Sequence, residues 1–363
     1  MIEIFLTIVW FPYLIFRIKK SLHMLQQNLY DDDFRYIKWF KKNFGKTMLS
    51  FDLVQVLLIF LILFIKKGIV IPISFGVVYL LLFIRSFGLS YKEVVKKPLV
   101  VTARVKRLIF TTILIYCLSI YFGFKLDINY YIILASLAYL QYFIALIAVK
   151  INIPIEKCVY LSYKRKAMKK LNSMSNLDVI GITGSYGKTS SKNILNDILN
   201  SKYSTLATPR NLNTPYGLIM TINNDLDKFD ELFIAEMGAY KIGEIKELCD
   251  LVHPKYGILT RIGTAHLELF GSQENVQKGK FELIESLPSD GVAVLNADDP
   301  LQVSYELQNN VKTLWIGIDN ECDYKGTNIN VSNTGTKFDL IIKGDKKKYK
   351  FETKLLGYAN IYN

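Results

Sequence analysis

Five apolar runs crowd the first 150 residues: Ile4–Phe16, Leu53–Ile65, Ile69–Ile84, Leu108–Phe124 and Tyr130–Val149. A helix that crosses the hydrocarbon core of a bilayer takes about 20 predominantly apolar residues. Tyr130–Val149 and Leu108–Phe124 suit that length, and Ile69–Ile84 suits it with its flanks. Leu53–Ile65 is shorter and borders Asp52, so it must tilt, borrow its flanks or re-enter. Ile4–Phe16 has neither a basic leader nor a small-residue cleavage site, so it reads as an uncleaved anchor. Buried helices of a soluble globule would carry one apolar face each; these runs show no such period.

The charge distribution supports the same division. Residues 1–150 hold 19 Lys and Arg against 7 Asp and Glu, net +12, whereas residues 151–363 hold 26 against 25, net +1. The overall charge of +13 therefore belongs to the apolar half and does not indicate a nucleic-acid surface. Lys19–Leu49 and Arg85–Arg107 carry seven basic residues each, while the intervening connections carry only Lys66-Lys67 and Lys125. Basic loops stay in the cytoplasm, so five spans with the N-terminus outside put everything after Lys150 inside. Lys157–Lys170 adds six basic residues and no acidic one. It reads either as a helix along an anionic membrane surface or as a solvated linker. The four cysteines, Cys117, Cys158, Cys249 and Cys322, form no CxxC pair, which excludes a Cys-ligated zinc site and a disulfide framework.

From Leu177 the pattern changes to short apolar strands alternating with amphipathic stretches. Strands are expected at Asp178–Thr183, Ser204–Ala207, Leu232–Ala235, Tyr256–Thr260, Val292–Leu295 and Thr313–Ile316, and helices at Lys188–Asn200, Gly243–Asp250 and Val276–Ser286. Such alternation predicts a mostly parallel sheet with helices on both faces. Asn328–Val331, Lys337–Ile342 and Lys347–Lys354 predict a small antiparallel extension. The chain thus reads as an α-helical membrane domain over residues 1–150, a basic linker over 151–176 and an α/β P-loop domain over 177–363.

The sharpest local signal is Gly184-Ser185-Tyr186-Gly187-Lys188-Thr189-Ser190, a Gly-rich turn between a strand and a helix. Backbone N–H groups in such a turn face a phosphate. Lys188 would reach the β- and γ-phosphates and Thr189 would meet Mg²⁺. The strict pattern asks for glycine at position 182, where this chain has Ile182 and places Gly181 one residue early. Glu236, in Ala235–Ala239, and His266, after the next strand, stand at the carboxyl ends of predicted strands, where α/β sheets gather their ligands.

Taken together, GITGSYGKTS, NLNTPYG (Asn211–Gly217), EMGAYKIGEI (Glu236–Ile245), GTAHLELFGS (Gly263–Ser272), KGKFE (Lys278–Glu282) and NADDP (Asn296–Pro300) resemble the Mur ligases. The resemblance is greatest to their UDP-N-acetylmuramoyl-tripeptide–D-alanyl-D-alanine ligase branch. It covers residues 177–363 and implies an ADP-forming, ATP-dependent amide ligase of peptidoglycan synthesis. A carboxylate on a cell-wall precursor would attack the γ-phosphate, and the amine of an amino acid or dipeptide would displace phosphate from the acyl phosphate. The resemblance implies catalytic roles for Lys188, His266 and Lys280, and ATP contacts from Gly184–Ser190, Asn296 and Asn360. Thr189 and Glu236 would hold one Mg²⁺; His266 and Lys280, the latter carbamylated, would help hold a second.

Three departures accompany it. Arg261 stands where the family has asparagine, and Ala359 replaces the histidine of its G-x-H-N-x-x-N turn. The sequence also stops at Asn363, where the family continues into a C-terminal domain; a longer chain or a separate partner would supply it. A membrane-anchored polyglutamate-type ligase and a noncatalytic ATP-binding scaffold are the alternative readings. A transport ATPase is less well supported, because no second nucleotide signature is present and no charge sits central to a convincing span.

Overall fold

A computed structural model describes residues 8–28, 30, 35–49, 51–65, 68–92 and 98–363, without the side chains of 90–92. The beginning of the run Ile4–Phe16 and the pair Lys66-Lys67 lie outside the described residues. Contacts divide the chain into one unit ending at Cys158 and a second beginning at Val159.

The first unit contains α1 (Trp10–Gln27), α2 (Arg35–Phe44), α3 (Val54–Ile65), α4 (Val70–Lys92), α5 (Ala103–Lys125), α6 (Tyr130–Tyr139) and the start of α7 (Gln141–Asn172). A π-turn at Gly45–Leu49 follows α2. Among the described residues, Val70–Leu89 and Ala103–Lys125 are long and apolar enough to cross a membrane. Two further pairs qualify only as bent units: Arg35–Leu49 with Phe51–Ile65, bent by 57°, and Tyr130–Tyr139 with Gln141–Asn172, bent by 74°. By length and composition the described residues thus offer two of the five expected spans, or four if each bent pair counts once, and the first expected run begins outside them. Tyr130–Val149 is not one straight helix but breaks at Leu140, and hydropathy carries no signal for a break within an apolar run.

A buried cation fastens those breaks. Arg17, expected just beyond the first run, lies inside α1 and is 4% exposed. Its Nε and Nη2 donate to the carbonyls of Ala138 (3.3 Å) and Tyr139 (2.9 Å), at the end of α6. Its Nη1 donates to Thr47 O in the π-turn and pairs with Asp52 Oδ1, both at 3.3 Å. Tyr13 donates to Asp52, Gln55 to Tyr13 and Tyr79 to Gln55, so the polar groups form one connected chain. Helix-terminal carbonyls lack intrahelical partners, and the guanidinium supplies donors to them in a fixed fork.

The expected boundary at residue 150 falls within α7. The basic stretch is not a free linker. Ala167 is buried in the core of the second unit, where Tyr160, Met168 and Leu171 also pack.

The second unit is one nine-stranded sheet in the order β2-β3-β1-β4-β5-β6-β7-β8-β9. The strands are β1 (Asp178–Thr183), β2 (Thr205–Ala207), β3 (Leu232–Glu236), β4 (Tyr256–Leu259), β5 (Val292–Asn296), β6 (Lys312–Gly317), β7 (Tyr324–Ser332), β8 (Gly335–Ile342) and β9 (Lys348–Thr353). All pairings through β6–β7 are parallel, and β7–β8 and β8–β9 are antiparallel, as the alternation predicts. Helices α8 (Lys188–Leu199), α9 (Pro215–Asn224), α10 (Glu244–Val252), α11 (Leu267–Phe270), α12 (Gln273–Glu285), α13 (Pro300–Val303) and α14 (Ala359–Tyr362) complete it.

Alternation along β1 explains how the sheet is covered. Ile180 and Ile182 face Leu195 and Leu199 of α8, while Val179 joins Phe281, Leu283 and Ile284 of α12 in the main core. A Cβ on Gly181 would lie 2.5 Å from Leu283 Cδ1. The early glycine therefore serves helix–sheet packing, and the phosphate-type loop opens at Gly184. The chain leaves β1 towards β2 and β3 on one side and continues through β4 on the other, so the order reverses at β1. Open α/β sheets bind ligands at such a point, beyond the carboxyl ends of the strands.

Replacing Arg17 with methionine would leave Asp52 without its cation and three carbonyls without a donor. Arg17→Met should destabilise the first unit by about 3–5 kcal/mol, read as a lower thermal unfolding midpoint in detergent. An unchanged midpoint would show that the breaks hold without it.

Candidate active site

The loop after β1 is shaped by two glycines with positive φ. Gly184 (φ 148°) lies where a Cβ would sit 2.0 Å from Thr260 Oγ1, and Gly187 (φ 86°) where one would sit 2.5 Å from Asn363 Oδ1. Side chains are excluded at both positions by conformation and by space. Gly187 leads into α8, whose Ser191 N–H is donated to the Gly187 carbonyl at 2.9 Å. The N–H groups ahead of it head the helix, the arrangement that attracts anions. Lys188 Nζ turns back to the carbonyls of Gly184 (2.7 Å) and Ser185 (3.3 Å). Burial lowers its pKa, while Glu236 acts in the opposite sense.

The loop after β4 is laced to this one. Thr260 Oγ1 donates to Tyr186 O at 2.7 Å, and Ser185 N–H donates to Arg261 O at 2.8 Å. The Tyr186 ring lies against Gly263, where a Cβ would come within 2.5 Å of it. Arg261 thus contributes its carbonyl to this contact while its side chain is exposed. Asp299, 5% exposed, accepts the Ile262 N–H at 2.7 Å, and Gln302 Nε2 donates to Thr260 O at 2.7 Å.

At the end of β3, Glu236 is 2% exposed and fully engaged. Thr189 Oγ1 lies 3.2 and 3.1 Å from its two oxygens, Asn213 Nδ2 donates to Oε1 at 3.1 Å, and Lys192 Nζ pairs with Oε2 at 3.1 Å. The other expected metal residues are placed differently. His266, in the left-handed region at φ 63°, packs its ring edge-to-face with Tyr240, with centroids 4.7 Å apart. Among the described residues no three His, Cys, Asp or Glu side chains gather around one point.

Lys280 is buried in α12, with Nζ 5.6 Å from the centre of the Phe270 ring. Burial and then the nearby charge of Lys188 lower its pKa to about 8, against smaller opposing effects of Glu244 and Glu282. Glu282 itself accepts the N–H groups of Gly243 (2.5 Å) and Lys246 (3.0 Å), capping α10.

Asn296 and Asn360, expected at ATP, make local contacts. Asn296 Oδ1 accepts the Asp298 N–H at 2.9 Å, and Asn360 Nδ2 donates to Leu356 O at 2.8 Å. Asn360 nonetheless adjoins the loop through Asn363, whose Nδ2 reaches Asn360 Oδ1 at 3.3 Å and whose Oδ1 accepts Ser191 Oγ at 3.1 Å. Ala359 is exposed at the start of α14. Burial raises the Asp298 pKa, but the N–H groups of Ile318, Asn320 and Asp319, with the Tyr362 hydroxyl, outweigh it and hold the carboxyl below its usual range.

Residues 182–363 match the Mur ligase middle domain. The chain belongs to the Mur ligase family. The UDP-N-acetylmuramoyl-tripeptide–D-alanyl-D-alanine ligase of Bacillus subtilis (strain 168) is 36% identical over 186 residues, 51% of this chain and 39% of that protein. The Escherichia coli (strain K12) enzyme of the same name is 36% identical over 164 residues, 45% of this chain and 36% of that protein. Among solved structures, MurF from Acinetobacter baumannii superposes with a TM-score of 0.52 at 27% identity, covering 56% of this chain and 44% of that one. MurF ligase from Thermotoga maritima in complex with ADP gives 0.50 at 32% identity, covering 56% and 47%. This Mur ligase chain spans about two fifths of the length of the curated relatives it matches.

Lys192 lies outside every motif legible in the sequence, and Asn213, Asp299 and Asn363 lie inside motifs that give them no individual role. Lys192 was one helical turn from Lys188, and Asn213 lay inside the NLNTPYG motif, yet neither signal names a partner.

With its pKa near 8, Lys280 holds less proton in the folded protein than in the unfolded chain between about pH 8 and 10.5. In CO₂-free buffer, where Lys280 is an amine, stability should therefore rise with pH across that window, and Lys280→Met should flatten the rise to the smaller part contributed by Lys188. Thermal unfolding measured across the window tests this; equal slopes in both proteins would contradict the burial of an ammonium there.

Proposed function

We propose that this chain is an ATP-dependent, ADP-forming amide ligase acting on a muramoyl-peptide precursor of peptidoglycan, with an amino acid or dipeptide as the amine. The meeting of Lys188, Thr189 and Glu236 where the sheet order reverses carries this reading. The MurF homologues support the reaction class.

On this proposal the head of α8 and Lys188 bind and neutralise the polyphosphate, since phosphoryl transfer depends mainly on positioning and charge. The precursor carboxylate takes the γ-phosphoryl group with ADP leaving, and the amine then displaces phosphate to form the amide. The residues suit Mg²⁺, a hard cation that prefers oxygen: Thr189 offers a hydroxyl and Glu236 a carboxylate. His266 and a carbamylated Lys280 would hold a second ion. CO₂ adds to an uncharged amine, and the depressed pKa of Lys280 provides one near neutral pH. Bound Mg²⁺ supplies charge neutralisation at the phosphates.

The first unit is proposed to lie in the cytoplasmic membrane, with the second unit in the cytosol. Large apolar side chains point outward from its helices, among them Leu57, Phe64, Leu81, Phe110 and Phe122. Arg104, Lys106 and Arg107 mark the start of α5 as its inner end. The exposed basic side chains Lys157, Arg165, Lys166 and Lys169 of α7 suit anionic headgroups.

Lys188→Ala should lower ADP formation that depends on both carboxylate and amine by roughly 100-fold or more while the fold persists. Full turnover by a folded variant would refute the phosphate loop. Lys280→Ala should be nearly inactive, and formate or acetate should restore part of its turnover; wild-type turnover without either would remove the carbamate. For topology, a cysteine at Asp127 should react with an impermeant reagent in intact cells and one at Gln277 should not; the reverse pattern would refute the orientation.

A further inference from the structure

The ion pair beneath the phosphate loop suggests how metal enters this site. Lys192 is 2% exposed, and its Nζ donates to Arg210 O at 2.8 Å while pairing with Glu236 Oε2 at 3.1 Å. Both oxygens of Glu236 lie in contact with the Thr189 hydroxyl, and the charge of Lys188 also acts on the carboxylate. The immediate cradle therefore sets one carboxylate against the Lys192 ammonium, with a hydroxyl and the Asn213 amide as neutral members and the charge of Lys188 acting from the phosphate loop. A bare divalent cation meets no net negative charge there. A polyphosphate supplies it.

We infer that Lys192 is a positioning residue that holds Glu236 in place of the metal and makes metal binding conditional on the nucleotide, so that the cation arrives as a metal–polyphosphate complex. This rests on the reading of Glu236 as a metal ligand. The seat of Lys192 is two-sided. If the cation takes Oε2, the ammonium keeps its bond to the Arg210 carbonyl, and Arg210 is held at φ 50° in the loop that also carries Asn213. The same side chain thus ties α8, the end of β3 and the loop after β2 together before the metal binds. It keeps Glu236 aimed at Thr189 and keeps its carboxylate from capturing a free cation.

Mn²⁺ binding to the 363-residue chain in detergent, followed by the loss of its free electron-paramagnetic-resonance signal, tests this without turnover. Mn²⁺ complexed by ADP in solution is subtracted. In wild type, ADP or inorganic pyrophosphate should tighten Mn²⁺ binding at least 100-fold. In Lys192→Gln, which keeps a neutral donor for the Arg210 carbonyl, binding without nucleotide should be at least tenfold tighter than in wild type, and the ADP effect should shrink below tenfold. Equal nucleotide-free affinities in the two proteins would overturn the proposal. So would wild-type binding that is equally tight with and without ADP or pyrophosphate, a result that needs no variant to fold. Glu236→Gln separates the two levels of the claim. If it leaves ADP-supported Mn²⁺ binding unchanged, the reading of Glu236 as a ligand fails; if it weakens that binding while Lys192→Gln behaves as wild type, only the role of Lys192 fails.

Discussion

A carboxylate excluded from water must be paired, and the pairing of Glu236 organises the second unit around it. Three segments far apart in sequence meet on its two oxygens: α8 through Thr189 and Lys192, the loop after β2 through Asn213, and β3 through Glu236 itself. The Glu236 N–H is also held, donating to Thr208 Oγ1 at 3.1 Å. Leaving either charge of a buried pair alone costs several kcal/mol, of the order of a domain's whole net stability. The segments are therefore strongly constrained to arrive together, and the side chains that a phosphate and a cation would meet are ordered by the same contacts that fold the protein.

The neighbouring loop follows a different logic, in which backbone atoms make the contacts and side chains set the spacing. Ser185 N–H is donated to Arg261 O, Ile262 N–H to Asp299, and Thr260 bridges to Tyr186 O. A carbonyl is present whatever the residue, so the exposed side chain at position 261 can change without disturbing the weave. Glycine cannot be replaced so freely, because Thr260 and Asn363 occupy the volume a Cβ would need at Gly184 and Gly187. Glu282 belongs to the same economy. It lies two residues from Lys280, yet it caps the start of α10. That cap holds the helix that follows the Glu236–Gly243 loop, in which Tyr240 packs on His266.

In the first unit the corresponding role falls to Arg17. Its fork closes the carbonyls of one break and the π-turn of another while Asp52 balances its charge. Gln141, at the bend itself, is also fully buried; it accepts from the Tyr116 hydroxyl and donates to Ser21 Oγ at 3.0 Å. Polar groups in an apolar surround are retained where the backbone would otherwise be left without partners. Each unit thus places a paired charge where its regular structure is interrupted.

How much was legible beforehand depends on the range of the interaction. Periodicity is local, so the strands from Asp178 to Gly317, the antiparallel extension and the helix after Gly187 could be read directly, with boundaries within one or two residues for most strands. The Gly-rich turn was legible for the same reason, since the φ values it needs are a property of glycine alone. The break at Leu140 and the buried state of Arg17 were not, because hydropathy averages over the positions where an apolar helix bends. Glu236 could be picked out by its place at a strand end, but Lys192 looked like any lysine on a helix surface. Sequence by itself determined where most strands and the helix after Gly187 lie and which residue types could carry phosphate and metal chemistry. Only the tertiary structure decided which charges share a buried site, because a partner for a buried charge is chosen by distance in space, and the residues that meet on Glu236 are spread from Thr189 to Glu236 along the chain.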